Sequence, residues 1–275
     1  LKDTNSLRSR MINNLDIQSY GYFSEIGFKN NFNYYLKNTI SAGKNNTEYD
    51  SSPHVKFMNI FELVSSFPLI SISDKYSSFL DPKISLRLNP SDMKNYKNEN
   101  RQISNDNLFN INRLGLIDTL ESGNNLTLGL DFKRENIDNI NKYFEFKLGK
   151  VLRTKTNSNL PTNSTLDKRN SNYFGKVTNT LNDNINLNYE FSVNHDLDEI
   201  QYSSLSTTIK KNNFTTTFNY IEEEGEVGSA NILENVTTLN LNDQNFITFK
   251  TRENKEINLT EYYDLIYEYK NDCLV

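Results

Sequence analysis

The 275 residues include one cysteine, no tryptophan, two histidines, five prolines and only two alanines, Ala42 and Ala230. Each scarcity closes a class. One cysteine excludes an internal disulfide framework, and one cysteine with two histidines leaves almost nothing from which to build a zinc site. So little alanine, with β-branched residues scattered throughout, argues against a helical bundle, which draws on strong helix formers. No apolar run reaches the roughly 18 residues that a membrane-spanning helix needs. A net charge of −5 provides no basic footprint, so no nucleic-acid partner is expected. There is no glycine-rich phosphate loop, Walker motif, G-x-S-x-G or H-E-x-x-H, and no nucleophile with a base and an orienting partner. The residues therefore predict neither an enzyme nor a cofactor or metal site.

What the chain has in plenty is asparagine, at 45 residues, and aromatic side chains, with 17 Phe and 16 Tyr. The aromatics exceed what simple disorder would carry. Abundant Asn, Lys, Ile, Phe and Tyr beside scarce Ala, Gly, Pro and Trp is the pattern of an AT-rich genome. The N-x-S/T triplets at Asn45, Asn125, Asn163, Asn213, Asn235 and Asn258 then read as chance matches.

The strongest local signal has a period of two. Ile185, Leu187, Tyr189, Phe191 and Val193 alternate with Asn186, Asn188, Glu190, Ser192 and Asn194. This is a strand with one apolar and one polar face. The same alternation recurs at Leu126–Phe132, Ile84–Leu88, Phe28–Ile40, Phe214–Tyr220 and Tyr263–Tyr269. About thirteen strands follow, near 9–19, 26–40, 55–69, 79–89, 124–135, 143–154, 171–182, 184–195, 199–211, 213–222, 231–242, 245–254 and 261–271. Most are about ten residues or longer, which suits a tilted strand crossing a bilayer. Tight turns follow the seventh, ninth and eleventh strands, whereas longer loops at 41–54, 90–123, 155–170 and 223–230 follow the second, fourth, sixth and tenth. Short turns on one rim and long loops on the other are how outer-membrane barrels are built.

Alternation by itself does not say what the apolar face touches. Lipid outside a barrel and a packed core inside a sandwich produce one pattern. The long strands, their high number without covering helices, and polar faces rich in Asn, Lys, Glu and Asp favour an antiparallel transmembrane β-barrel segment. A soluble surface β protein is the alternative. Backbone groups in lipid must all be paired, so the barrel must close, and thirteen is an odd count where bacterial barrels are usually even. The chain also starts at Leu1 and stops at Val275 within an apolar stretch. We therefore expect one domain over 1–275, an internal fragment of a larger barrel, incomplete at both ends.

Few residues could carry a function. His54 and His195 lie far apart at strand ends and read as solvated. Glu222, Glu223, Glu224 and Glu226 form an acidic run that reads as a solvated loop or a surface contact for a divalent cation. Segment 107–123 differs: it holds Leu108, Phe109, Ile111, Leu114, Leu116, Ile117 and Leu120 inside the longest connection. Such a loop either packs on its own barrel as a short helical or folded-in element, or acts as a plug or gate in which Arg113 pairs with Asp118 or Glu121. Alternation places Lys29, Lys37, Lys83, Arg87, Lys133 and Lys147 on the polar, lumen-facing phase. Cys273 sits at a polar strand end, where it is either an inert thiol or paired with a cysteine outside this segment.

Three stretches resemble a known family. They are Leu80-Asp-Pro-Lys-Ile-Ser-Leu-Arg-Leu-Asn-Pro-Ser-Asp-Met-Lys-Asn95, Asp106-Asn-Leu-Phe-Asn-Ile-Asn-Arg-Leu-Gly115 running into Asp118 and Glu121-Ser-Gly123, and Tyr267-Glu-Tyr-Lys-Asn-Asp-Cys-Leu274. In combination and order they are similar to the C-terminal barrel of the LPS-assembly outer-membrane protein family LptD, in a diverged, AT-rich, alphaproteobacterial form. The specific motifs cover about a fifth of the chain, and the strand rhythm covers nearly all of it.

The resemblance implies an outer-membrane barrel that takes lipopolysaccharide from a periplasmic bridge protein, through an N-terminal domain absent here, and releases it into the outer leaflet. It also implies an LptE-like lipoprotein plug in the lumen, contact with outer-membrane lipids, and a lateral opening between the first and last strands. Cys273 matches the barrel-side position of an interdomain disulfide, where the best-known members carry two adjacent cysteines and this chain has one. A different outer-membrane barrel, a porin or receptor fragment, is the competing expectation; it would need neither segment 107–123 nor Cys273.

Overall fold

A computed structural model describes residues 6–45 and 51–270 of the chain. Cys273 lies outside the described residues. The strands are β1 Leu7–Gln18, β2 Tyr22–Phe23, β3 Lys29–Lys44, β4 His54–Ser66, β5 Leu69–Ile72, β6 Tyr76–Leu88, β7 Asn125–Asn136, β8 Tyr143–Arg153, β9 Asn170–Asn182, β10 Ile185–Val193, β11 Ile200–Lys211, β12 Phe214–Glu223, β13 Ala230–Asn240, β14 Asn245–Asn254 and β15 Leu259–Tyr269. They form one antiparallel meander in the order β1-β3-β4-β6-β7-β8-β9-β10-β11-β12-β13-β14-β15, with β2 paired to β3 and β5 to β6 beside this path.

The thirteen strands on the path coincide with the thirteen expected from alternation, with ends shifted by a few residues. The two additional strands, β2 and β5, are too short for a period of two to register. There is no α-helix among the described residues. Segment 107–123 is a chain of turns, so of the two folded forms expected for it the helical one is not adopted. Its Gly115 and Gly123 take positive φ, which interrupts any helical run. Between β11 and β12, Asn212 takes φ 52° and closes a two-residue turn. Asparagine visits this region more readily than branched residues because its short polar side chain bonds locally.

The chain falls into two compact units. The first comprises 1–67, 83–128 and 151–171. In it the alternation of the strands has a definite sense. On β4, Met58, Ile60 and Glu62 are buried, while Phe57, Phe61 and Leu63 are 63%, 41% and 46% exposed. On β6, Ser85 and Arg87 are buried while Ile84, Leu86 and Leu88 are exposed. The register sets like against like: Leu63 faces Leu86, Phe61 faces Leu88, and Glu62 faces Arg87. A soluble sandwich buries its apolar phase. On β6 the apolar phase points outward and the polar, charged phase inward, and on β4 the inward phase carries Glu62 beside Met58 and Ile60 while Phe57, Phe61 and Leu63 face out, as in a wall bathed by lipid.

The buried side of this unit is filled by its own connections. Leu108, Leu114, Leu116 and Leu120 from 89–124 and Leu160 and Leu166 from 154–169 are all buried. Leu120 packs on Met58 and Ile60, flanked by Tyr35 and Ile111. Each such leucine contributes about 1.5–3 kcal/mol relative to exposure. The two connections are tied together where the Tyr96 amide donates to the Asn159 carbonyl at 2.8 Å and the Asn157 amide to the Ser122 hydroxyl at 2.8 Å.

The second unit comprises 68–82, 129–150 and 172–275. Its polar phase carries a row that crosses five strands, in register at Ser206, Asn219, Glu234, Arg252 and Tyr262. Ser206 donates to Asn219 at 2.7 Å, and Tyr262 donates to Glu234 at 2.9 Å. The opposite phase exposes Leu205, Phe218 and Phe249. Gly175 lies opposite Phe191, whose ring occupies the space a Cβ would need.

Candidate functional site

Glu121 is the centre of the folded-in connection. Arg113 approaches it with two nitrogens, Nε to Oε2 at 2.7 Å and Nη2 to Oε1 at 2.5 Å. Arg153, from the end of β8, donates Nη1 to the same Oε1 at 2.5 Å and Nη2 to the Ser122 carbonyl. Asn125 and Thr127, on the polar phase of β7, accept from Arg113 at 3.1 and 3.0 Å. The carboxylate and both guanidinium groups are buried. Burial by itself would raise the Glu121 carboxyl, but the charge and hydrogen bonds of Arg113, with Arg153 and Arg87 beyond, hold it at about 2. Of the two partners expected for Arg113, Glu121 is therefore the one it takes.

A second buried pair underlies the first part of the segment. Arg87 Nε donates to Glu62 Oε1 at 2.6 Å, and its Nη2 donates to the carbonyls of Phe109 and Asn110, each at 2.9 Å. Ser85 donates to the same Glu62 oxygen at 2.7 Å, and Asn33 to the other at 2.9 Å. A strand-to-strand ion pair thus presents its spare donors to the backbone of the connection. Carbonyls in turns have no ladder partner, and these donors satisfy them.

A third attachment gathers on Asp118. The Tyr96 hydroxyl donates to Oδ1, while Lys94 Nζ and Arg10 Nη1 reach Oδ2 at 3.3 and 3.4 Å. Burial first, and then this bond to a carboxylate, push the Tyr96 hydroxyl well above the ordinary tyrosine range. Lys37 Nζ, buried on β3, donates to the carbonyls of Leu116 and Ile117 at 3.1 and 2.6 Å. At the exit of the segment Asn89 clamps both sides of Ser122: its carbonyl accepts from the Gly123 amide at 2.9 Å, and its side-chain amide donates to the Glu121 carbonyl at 2.7 Å. Gly123 has φ 88°, and a Cβ there would stand 2.9 Å from Arg153 Nη2.

The residues singled out from the sequence separate into groups. Arg113, Asp118, Glu121, Lys37 and Arg87 meet in the first unit around segment 107–123. Lys83 joins them at the edge, its ammonium 5.1 Å from the centre of the Phe109 ring, and Lys29 is exposed at the start of β3. Lys133 and Lys147 belong to the second unit, paired with Glu135 at 2.7 Å and Glu145 at 3.3 Å. His54 is exposed, and His195 stands 3.4 Å from Asp196 at an exposed turn. Glu222, Glu223 and Glu224 line an open cavity of about 430 Å³ with Glu199 and Glu256. Among the described residues no group of three or more His, Cys, Asp or Glu has an arrangement suited to a metal ion.

Arg153, Glu62, Tyr96, Lys94 and Arg10 escape sequence reasoning. The positions two residues from Glu62 are Ile60 and Val64, and two before Arg153 is Val151, so alternation marks neither as part of a polar face. The geometry as a whole performs no bond-making chemistry. It pins a long connection against the polar faces of β3, β4, β6, β7 and β8 with three arginines, one lysine and three carboxylates, each a buried charge with a partner.

Residues 9–254 match the model of a protein family described as LptD, LPS transport system D. No curated protein matches the chain.

Proposed function

The chain belongs to the LptD family, which serves lipopolysaccharide transport at the outer membrane, and from that membership we propose that it is wall and lumen filling of the translocon that inserts lipopolysaccharide into the outer leaflet. The observation that carries this reading is the inversion of the strand faces. Phe57, Phe61, Leu63, Leu86 and Leu88 point outward, and Glu62, Arg87 and Arg153 point inward. A phosphorylated, hydrated headgroup needs a polar passage, whereas acyl chains need an apolar one. A wall polar on one side and apolar on the other serves both if it can part sideways.

In this reading segment 107–123 is a resident element on the polar side rather than a catalytic one. The domain 1–275 is part of a larger barrel, completed by strands on either side. An LptE-like lipoprotein occupies the remaining lumen, a periplasmic bridge protein delivers lipopolysaccharide through an N-terminal domain, and Cys273 bridges to that domain. The driving work comes from the inner membrane, so the barrel is not an enzyme.

Depletion of the full-length protein in its own cells tests the reading. We expect lipopolysaccharide reaching the cell surface, measured by antibody on intact cells, to fall while inner-membrane lipopolysaccharide rises. Unchanged surface lipopolysaccharide with reduced uptake of small solutes would identify a porin instead. For the disulfide, non-reducing electrophoresis of Cys273→Ser should show a mobility change, and an unchanged band would remove the bridge.

A further inference from the structure

The outward face of the second unit contains a cationic recess. A cavity of about 370 Å³ is lined by Tyr76 of β6, Arg134 of β7, Lys142 in the connection 137–142, Phe144 of β8 and Leu181 of β9, among others. Arg134 shares its phase with Leu126, Leu128, Leu130 and Phe132, the apolar side of β7. A guanidinium there faces lipid rather than the polar interior. It lies over the Tyr76 ring at 4.2 Å, and no carboxylate lines the cavity. Lys142 is exposed at the end of the same short connection.

An arginine on the lipid face is costly at the bilayer midplane and cheap near the interface. Its neighbour Tyr76 is of the type that gathers in the aromatic girdle at that interface. Two cations beside an aromatic ring, with Phe144 and Leu181 exposed next to them at 38% and 57%, combine a phosphate seat with an apolar track. In the antiparallel order 137–142 shares its rim with the tight turns 183–184, 212–213 and 241–244. In outer-membrane barrels the rim of short turns is the periplasmic one, so 137–142 lies at the leaflet built of glycerophospholipid.

We propose that Tyr76, Arg134 and Lys142 hold the phosphate of an inner-leaflet glycerophospholipid, whose acyl chain lies along Phe144 and Leu181. The proposal rests on the outer-membrane reading above. Native mass spectrometry of the full-length protein in detergent, incubated with phosphatidylglycerol or with a phosphate-free galactosyl diacylglycerol, reads it directly. The wild type should retain phosphatidylglycerol and release the galactolipid. Arg134→Gln/Lys142→Gln should retain roughly tenfold to thirtyfold less phosphatidylglycerol, from about 1 kcal/mol per cation near a membrane surface. Lys210→Gln/Lys211→Gln, which removes two cations at another short turn, should retain the wild-type amount.

Equal retention of the two lipids by the wild type overturns the proposal, and that comparison does not depend on any variant folding. Equal loss in the two double variants reduces the effect to general attraction and also overturns it. Displacement of phosphatidylglycerol by an equal concentration of purified lipopolysaccharide would assign the seat to the other leaflet and overturn the choice of lipid. Delivery of lipopolysaccharide to the surface is not read in this assay, so failure here and failure of the transport reading are separate results.

Discussion

Arg113 and Glu121 are joined by two parallel hydrogen bonds, at 2.7 and 2.5 Å, across eight residues of a connection that contains neither helix nor strand. The pair replaces secondary structure as the restraint on that segment. Backbone carbonyls of Phe109, Asn110, Leu116 and Ile117 are satisfied by strand-borne Arg87 and Lys37 instead of by a ladder. The connection is therefore held by charge, and its stability is sensitive to single charged side chains.

Replacing Glu121 by alanine leaves Arg113 and Arg153 buried without their carboxylate. Breaking a buried pair in this way costs about 3–5 kcal/mol. Thermal unfolding of the detergent-purified full-length protein should fall accordingly, and limited proteolysis should cut within 89–124. Glu121→Gln, which preserves the shape and accepts one hydrogen bond, should lose less.

Glu62 and Arg87 form a test of coupling. Each single change, Glu62→Leu or Arg87→Met, should be strongly destabilising because the survivor is a buried unpaired charge. The double variant should recover most of the loss, with an interaction energy of about 0.5–3 kcal/mol in a double-mutant cycle. Additive losses would show that the pair is not coupled.

The depressed Glu121 carboxyl makes docking of the segment acid-sensitive in one direction. A carboxyl at about 2 when folded and at 4.5 otherwise contributes stability that is complete above pH 4.5. That contribution is lost as pH falls through about 2. Protease accessibility of 89–124 should thus be flat from neutral pH to about 4.5 and rise below it, and Glu121→Gln should flatten the rise.

Gly123 is needed both for its backbone and for the space beside it. Gly123→Ala places a Cβ in a left-handed backbone at φ 88° and against Arg153 Nη2. A residue held in such a region costs on the order of 1–3 kcal/mol. Equilibrium unfolding should register this, and in an Arg153→Met background the added cost of Gly123→Ala should be smaller by the part due to the clash.

Leu86 and Ser85 are adjacent and face opposite ways, so arginine scanning distinguishes a lipid-facing wall from a soluble surface. Leu86→Arg should destabilise the protein in liposomes by about 2–4 kcal/mol if it lies near the midplane, less near an interface. In a soluble protein an exposed leucine tolerates the same change within about 0.5 kcal/mol. Urea unfolding in liposomes separates the two.

Much of the fold was legible because its signal is local. A period of two needs only neighbours along the chain, and from it came thirteen strands, the polar phase of Lys37 and Arg87, and the pairing of turns with loops. Arg113 and Glu121 were legible as candidates because both lie in one apolar-rich connection. What alternation left open was the direction of each face, since lipid and core write the same pattern. Burial decided it: Glu62 and Arg87 are both 2% exposed while Phe57 and Leu86 are 63% and 43% exposed.

The sequence by itself determined the strands, their phases and the antiparallel rhythm, since these follow from side chains two apart on an extended backbone. Only the tertiary structure decided that Arg153 reaches Glu121 across 32 residues, that Asp118 serves Tyr96, Lys94 and Arg10 rather than Arg113, and that Arg134 stands beside Tyr76 on the outward face. Those partnerships depend on strand register and on how a connection folds back. A charged residue's type and phase show that it needs a partner, and only the packing of distant segments supplies one.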